Sequence, residues 1–592
     1  METDNKEAPE SKEVPVGNLQ GLAKYWRYDL LSGFLVFLIA LPLCLAIASA
    51  SGYPPIAGIF TAIIGGILSA FISNSELTIK GPAAGLIVIA IGCVNDFGGG
   101  TPTHEAYRMA LAVGAAAGVL QILFAVFRSG ILGEFFPTSV VHGMLAAIGV
   151  IIIAKNAPVA LGVDNAGSPL QLLRDIFVPW NFETGHFAWP AKFANMNPEI
   201  ALIGGISVLL LFGLPFIKNR YVKMVPAAMI VLLVSVAMGI YFDLADEHTY
   251  TFGEHVYQVD DHFLVNVPDN MFAAITTPDF TCLYKPELAG RAWYWVIMFA
   301  LIGSLESLLS AKAIDNIDPW HRKSNMDRDL LAIAIGNTIA AFVGGLPMIA
   351  EIVRSKANID NGARTRFANM FHGLFLLGFV ATVPFLIHRI PNAALGAMLI
   401  YTGFRLASPR EFFNVFKIGR EQLIIFVVTI VAVLATDLLK GIAIGIVVKF
   451  AIHLYNILPV LAFVKATVVV ERPDEKTELI RVYHFAIFSN WIFLRRAILA
   501  AAPSHDVIVD LSETRLVDHT TMEKLHEIEK DFHEQGRKFI VIGMDEHVPV
   551  SSHPYAARTK AVRIPDAKPS TTPPQSHGAN GVPAEETSVM AK

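Results

Sequence analysis

Runs of about 20 apolar residues, the length that crosses the hydrocarbon core of a bilayer, recur between residues 29 and 462 of this chain. They constrain its fold more than any other feature. In lipid every backbone N–H and C=O must find a partner inside the protein, so each run is predicted to be a helix. Of the 592 residues, 54% are hydrophobic and 16% charged, against about 25% charged in a soluble domain. Spans are expected at 29–50, 54–73, 82–94, 107–128, 136–157, 199–217 and 222–243. A second set is expected at 291–313, 328–344, 347–359, 363–388, 391–407, 420–436 and 438–462. Two sets of seven make fourteen, and an odd number per set puts the halves in opposite topology, as in inverted-repeat transporters. The fold class expected is a mostly α-helical polytopic membrane protein.

The third member of each set is short and interrupted. In the first half it reads Lys80-Gly81-Pro82-Ala83-Ala84-Gly85-Leu86-Ile87-Val88. In the second it reads Gly344-Gly345-Leu346-Pro347-Met348-Ile349-Ala350-Glu351-Ile352-Val353-Arg354-Ser355. Paired, Gly/Pro-interrupted hydrophobic segments point to the binding site of a transporter. A helix N-terminus presents unpaired N–H groups and about half a positive charge, which in a dry cavity seats a small anion. Two half-helices aimed at one another would make a two-sided seat, lined by Gly81, Pro82, Ala83 and Ala84 and by Pro347, Met348, Ile349 and Ala350. Pro82 and Pro347 suit a first helical turn, where no N–H is missed. Gly81, Gly85 and Gly345 allow the backbone to approach a ligand closely.

Glu306 lies well inside the apolar run Phe299–Ser310. A carboxylate there costs several kcal/mol unless protonated, paired or hydrated, so it is a candidate proton or cation carrier. Ser310 is one turn on, on the same face. Glu351 and Arg354, three residues apart, are expected to pair on one helix face or, alternatively, Arg354 supplies positive charge to the seat. Asp437 and Lys440 read as a solvated turn, and His142 and His372 as packing residues.

The net charge of −5 gives no basic footprint for nucleic acid. Three cysteines support neither a disulfide framework nor a metal cluster. No P-loop is present, which argues against an ATP-driven pump. Residues 1–26 read as a polar tail, unlike the basic start of a cleaved signal peptide. Lys and Arg concentrate in the short connections at Lys218, Arg220 and Lys223, at Arg322, Lys323 and Arg328, at Lys356, Arg364 and Arg366, and at Arg405, Arg410, Lys417 and Arg420. The positive-inside rule then puts both termini in the cytoplasm of a cell (inner) membrane protein. Past residue 462, short β-like runs at 466–470, 480–485, 507–511 and 539–543 alternate with helical patterning at 520–535. A cytoplasmic α/β domain is expected over 463–550, followed by a disordered tail over 551–592.

Several stretches resemble the SulP family of anion transporters, the sulfate permeases. They are Ala40–Ala46, Lys80–Ala83, Leu305–Ala311, Asp327–Ile349, Arg354 with Ala357–Ile359, and Gly362–Thr365. The resemblance covers most of residues 27–462 and implies a fold similar to uracil-permease-like transporters: fourteen segments in two inverted repeats, divided into a core and a gate, with the anion between the third and tenth segments. Asp510-Leu511-Ser512 and Val517-Asp518-His519-Thr520-Thr521 resemble the Asp-Leu-Ser … Asp-Ser-Ser-Gly loop of a STAS domain, with His519 and Thr520 where the serines stand. Such a domain implies regulation or dimer contact. Glu306 matches the acidic position that binds the coupling cation in sodium–bicarbonate members, Ser310 a second position of that cation site, and Arg354 an arginine near the anion pocket. Glu351 is unusual beside that pocket, since it repels an anion unless it pairs with Arg354 or is protonated.

The function expected is secondary active transport of a small inorganic oxyanion, bicarbonate or sulfate, coupled to H⁺ or Na⁺, by a membrane homodimer without a cofactor. The alternatives are an uncoupled exchanger or channel, or a membrane sensor acting through its STAS domain.

Overall fold

The computed structural model describes residues 14–130, 136–163, 167–177, 180–181, 186–187, 196–219, 225–252, 255–268, 270–455, 467–502 and 504–560. The first part of the expected N-terminal tail, Arg220 and Lys223, the end of the last predicted span and the chain beyond 560 lie outside the described residues.

Helices occupy all fourteen apolar stretches. In the first half they are α1 (Leu19–Ala50), α2 (Pro55–Ile72), α3 (Ile87–Phe97), α4 (His104–Val126), α5 (Thr138–Ala160), α6 (Pro198–Gly213) and α7 (Ala227–Tyr241). In the second they are α8 (Pro286–Ile317), α9 (Met326–Phe342), α10 (Ile352–Asp360), α11 (Phe367–Thr382), α12 (Asn392–Leu406), α13 (Arg420–Ala435) and α14 (Leu438–Tyr455). Six of them are long and apolar enough to cross a membrane by themselves: α1, α2, α4, α5, α8 and the helix that begins at Pro198. Local chemistry sets several starts. Asn18 caps α1 by accepting the Gly21 N–H at 2.7 Å. Asn197 caps α6, and Pro198 and Pro286 stand in the first turns of α6 and α8, where a proline misses no bond.

The helices pack as two bundles, each drawing on both halves of the sequence. Helices α1, α2 and α4 lie against α8, α9 and α11, while α5 and α6 lie against α12 and α13, with α14 beside α13. Between residues 72 and 87, and again between 342 and 352, the chain leaves the helical path, with turns at 84–86 and 343–344 around two short strands. Lys80–Pro82 (β1) and Met348–Ala350 (β2) pair antiparallel, with Lys80 opposite Ala350, Gly81 opposite Ile349 and Pro82 opposite Met348. Pro82 and Pro347 therefore do not open helical turns as the sequence suggested. Pro82 lies in β1 and Pro347 immediately precedes β2, and α3 and α10 begin five residues after them, at Ile87 and Ile352.

Beyond residue 466 the chain builds a seven-stranded sheet from β3 (Thr467–Asp474), β4 (Thr477–Ala486), β5 (Asp506–Asp510), β6 (Thr514–Val517), β7 (Phe539–Ile542), β8 (His547–Pro549) and β9 (Arg558–Lys560). The order is β7-β5-β4-β6-β9-β8, with β3 also on β4. Strands β7, β5, β4 and β6 are parallel neighbours. Helices α15 (Trp491–Ala500) and α16 (His519–Glu534) pack on it, burying Trp491, Leu494, Leu525 and Phe532. The sheet continues past the expected boundary at 550, because β9 pairs antiparallel with β6. A three-residue strand is too short to leave a period-2 signal.

The sheet domain docks on the helical part through α16. Glu523 accepts from Thr138 Oγ1 at 2.9 Å, Glu527 pairs with Lys312 at 2.6 Å and Asp531 with Lys323 at 2.7 Å. The deepest contact joins Lys449 of α14 to Asp518 at 3.0 Å, both side chains fully buried, with Thr520 Oγ1 accepting a second Lys449 bond at 3.0 Å. Burial opposes charge on Asp518. The Lys449 ammonium, then neighbouring His453 and the Thr521 N–H, outweigh it and hold the carboxyl well below the usual range. A depressed carboxyl contributes stability that is complete above about pH 4 and is lost only as pH falls below that.

Two outcomes follow for thermal unfolding in detergent. Asp518→Asn should cost about 3–5 kcal/mol, because it strands a buried ammonium, whereas Lys449→Met with Asp518→Leu should recover most of that loss. A wild-type unfolding midpoint that fell between about pH 8 and 5 through this pair would contradict the assignment, since Asp518 stays ionised throughout that window.

Candidate anion site between two half-helices

The crossing of β1 and β2 is held by side chains from the surrounding helices. Asn337 of α9 accepts the Met348 N–H at 2.6 Å, and its amide donates to Gln121 Oε1 at 2.8 Å. Ser307 of α8 accepts the Ala350 N–H at 3.1 Å, and Thr61 of α2 donates to the Leu346 carbonyl at 2.8 Å. Ser355 Oγ accepts the Ile79 N–H at 2.8 Å, and the Glu351 N–H donates to the Ile79 carbonyl at 2.9 Å. Lys80 is buried in an ion pair with Asp329 at 2.7 Å. These bonds satisfy backbone groups that extended chain would otherwise leave bare in an apolar interior.

All nine substrate-site candidates gather at this crossing. Gly81, Pro82 and Ala83 are buried, as are Pro347, Met348, Ile349 and Ala350, while Ala84 is half-buried. Arg354 is 1% exposed. Its Nη1 donates to Cys44 Sγ at 3.4 Å, while Nε and Nη2 have no hydrogen-bond partner among the described residues. The guanidinium lies against Gly81, where an added Cβ would stand 2.5 Å from Nη1.

Glu306 reaches the same place from α8. A Cβ on Gly85 would overlap its carboxyl group, so only glycine allows this contact. Glu306 Oε2 has no hydrogen-bond partner among the described residues, and the charges of Glu306 and Glu351 act on each other. Ser310 is buried one turn on, 2% exposed, and no hydrogen bond joins it to Glu306.

The expected Glu351–Arg354 pair does not form. Glu351 is the N-cap residue of α10, with extended backbone (φ −96°, ψ 110°), so it leaves the helical face that the i,i+3 spacing presumes. Its carboxyl Oε1 is buried without a hydrogen-bond partner among the described residues. Among the histidines, His372 is fully buried as expected. His142 is 42% exposed and faces Glu411 at 3.3 Å, a surface pair where packing was expected. Lys440 and Asp437 form the expected exposed turn pair at 2.7 Å.

Sequence reasoning missed Asn337, Ser307, Thr61 and the Lys80–Asp329 pair as organisers of the crossing. Lys80 and Asp329 carried a signal, as lone charges beside apolar runs; the small polar residues carried none.

Cavities lie along the seam between the bundles. One of about 1060 Å³ is bordered by Ser49 and Pro55 on one bundle and Asn156, Asn392 and Leu399 on the other. A smaller one of about 290 Å³ runs between Val353, Lys356 and Ala357 of α10 and Met398, Tyr401 and Arg405 of α12.

Two discontinuous segments from the two halves, crossed inside a helical membrane protein beside a buried carboxyl and a guanidinium, define the class: a membrane transporter of the broken-helix type. The chain belongs to the sulfate permease family, which it matches over residues 26–429. It is 27% identical over 434 residues to the putative sulfate transporter YvdB of Bacillus subtilis, covering 73% of this chain and 74% of that one. It is 22% identical over 426 residues to the bicarbonate transporter BicA of Picosynechococcus, covering 71% and 69%. Among solved structures, the transmembrane domain of a cyanobacterium BicA superposes with a TM-score of 0.57 at 21% identity, covering 70% of this chain and 97% of that one. The murine Solute Carrier 26 family member A9 anion transporter, in its inward-facing state, superposes with a TM-score of 0.59 at 14% identity, covering 91% and 90%. Both structures share the fold of this chain.

Asn337→Ala tests the crossing itself. It leaves the Met348 N–H without a partner, so the chain should lose about 1–3 kcal/mol of stability. Thermal unfolding reads the loss, and an unchanged midpoint would mean that Asn337 does not hold β2.

Proposed function

We propose that the protein is a secondary active transporter of a small inorganic oxyanion, bicarbonate or sulfate, bound between the N-termini of α3 and α10 and driven by H⁺ or Na⁺. The observation that carries this reading is the crossing itself. It brings two half-helix ends, each with about half a positive charge, together with the unsatisfied guanidinium of Arg354. Backbone amides at Ala83 and Ala84 would then face the anion beside the side of β2 formed by Pro347, Met348, Ile349 and Ala350, with Arg354 behind them. Glu306, buried beside Gly85, is the coupling group. It takes either a proton or, with Ser310, a sodium ion.

In this reading α1–α4 with α8–α11 form the anion-bearing core and α5–α7 with α12–α14 the gate. The fourteen helices are then fourteen membrane segments in two inverted repeats of seven, and the cavities along the seam are the two approaches to the seat. Both termini are cytoplasmic in the cell membrane, and the chain works as a homodimer. The sheet domain is of STAS type. His519 and Thr520, buried against α14, occupy the loop through which it acts on the transporter.

Uptake of labelled bicarbonate and sulfate into proteoliposomes, with imposed proton and sodium gradients, tests the proposal. One of the two anions should accumulate above its equilibrium level under one of the gradients. Accumulation that ignores both gradients would remove the coupling claim and leave an exchanger or channel. Glu306→Gln should abolish gradient-driven accumulation while anion binding persists in part. Undiminished coupled uptake by that variant would remove Glu306 from the coupling role.

A further inference from the structure

Between α12 and α13 the chain makes one more helix, Pro409–Ile418, of ten residues. At 1.5 Å per residue it is about 15 Å long, half the thickness of the hydrocarbon core, so it does not span. Ser408 caps it by accepting the Arg410 N–H at 3.4 Å, Pro409 stands in its first turn and Gly419 closes it. One side faces protein. Val415 is buried, Phe412 meets Phe426 of α13 edge-on with ring centroids 4.8 Å apart, and Glu411 faces His142 of α5 at 3.3 Å. The other side is uncovered. Phe413 and Phe416 are 66% and 52% exposed. Arg410, Lys417 and, just past the helix, Arg420 are exposed and make no ion pair among the described residues. At about 100° per residue, Phe416 and Phe413 form one stripe, and Lys417 and Arg410 form the stripe beside it.

With this connection on the cytoplasmic side, as proposed above, we propose that the helix is a docking site for an acidic phospholipid: Phe413 and Phe416 enter the inner leaflet, and Arg410, Lys417 and Arg420 hold the anionic headgroup. Aromatic and cationic stripes side by side suit a helix lying in the headgroup boundary, with rings toward the acyl chains and cations toward phosphate. Rings this exposed lose their contact with water there and keep the helix in place. The acids nearby do not cancel the cations. Glu411 is turned to His142, and Glu421 is half-buried in the first turn of α13. Each Lys or Arg at an acidic membrane surface strengthens binding about fivefold, and salt screens the effect. The same helix is tied to the sheet domain, because Ser551 Oγ donates to the Ile418 carbonyl at 2.7 Å. A lipid held here therefore joins α13, the sheet domain and the inner leaflet at one point.

Native mass spectrometry of the full-length protein in detergent tests this, titrated with phosphatidylglycerol and with phosphatidylcholine of the same acyl chains. Wild type should bind phosphatidylglycerol at least about tenfold more tightly, and the preference should shrink as ammonium acetate is raised. Arg410→Gln combined with Lys417→Gln and Arg420→Gln should remove most of that preference. Lys417→Gln alone, expected to lower it about fivefold, serves in the same way should the triple variant not fold. Phe413→Ser with Phe416→Ser should weaken both lipids severalfold and leave their ratio unchanged. Glycerol phosphate, the headgroup without its chains, should not displace phosphatidylglycerol. The proposal is overturned if wild type binds both lipids equally, if the neutralised variants keep the wild-type preference, or if the serine variant binds both lipids as wild type does. Displacement by glycerol phosphate also overturns it, and marks a site for free phosphate. Lipid binding in detergent depends on neither transport nor sidedness, so failure here is distinct from failure of the transport reading.

Discussion

Everything at the centre of this protein depends on one antiparallel contact, three residues long, between β1 and β2. Each strand comes from a different half of the chain, and neither has a neighbour of its own half to pair with. In an apolar interior such extended backbone stands only if every N–H and C=O is met. Asn337, Ser307, Thr61 and Ser355 meet those the strand pair leaves open. Because the strands run antiparallel, the chain leaves the pair at opposite ends, into α3 on one side and α10 on the other. Two opposed helix N-termini are the geometric consequence.

From that arrangement the chemistry of the site follows. Helix ends are weak electrostatic partners in water and strong ones where water is excluded. The crossing is buried, and the groups that project into it are a guanidinium and two carboxyl groups with unmet hydrogen-bonding atoms. Gly81 and Gly85 are required because Arg354 and Glu306 occupy the volume a side chain would take. The same end of the molecule that faces the sheet domain carries Lys312 and Lys323 on one bundle and Thr138 and Lys449 on the other. A single helix, α16, together with Asp518 and Thr520 just before and within it, touches both bundles. Any movement of one bundle against the other must therefore either carry that helix along or break some of these bonds.

Much of this was legible in the amino-acid sequence. Apolar run length located the fourteen helices, because the bilayer imposes a length that few other constraints imitate. Glycine and proline inside such runs marked both halves of the crossing, since a broken helix in lipid needs compensation. Glu306 stood out for the cost of a carboxylate in an apolar run. What the sequence did not carry was direction. The spacing of Glu351 and Arg354 suggested one helix face, yet the strand pairing keeps Glu351 extended and off that face. Pro82 and Pro347 resembled helix openers for the same reason that they tolerate an extended strand: both uses dispense with an N–H. Asn337 and Ser307 are ordinary small polar residues whose partners cannot be read without the fold. Lys449 was a signal overlooked, a lone ammonium in an apolar run whose counter-charge, Asp518, lies in the following domain.

The central claim is that the anion sits where the two half-helices meet. Cryo-electron microscopy of the protein with and without the anion that proteoliposomes accumulate measures this directly. The account predicts difference density about 3 Å from the backbone amides near Ala84, beside Gly81 and Arg354. Difference density confined to the large cavity along the seam, with none at the crossing, would contradict it.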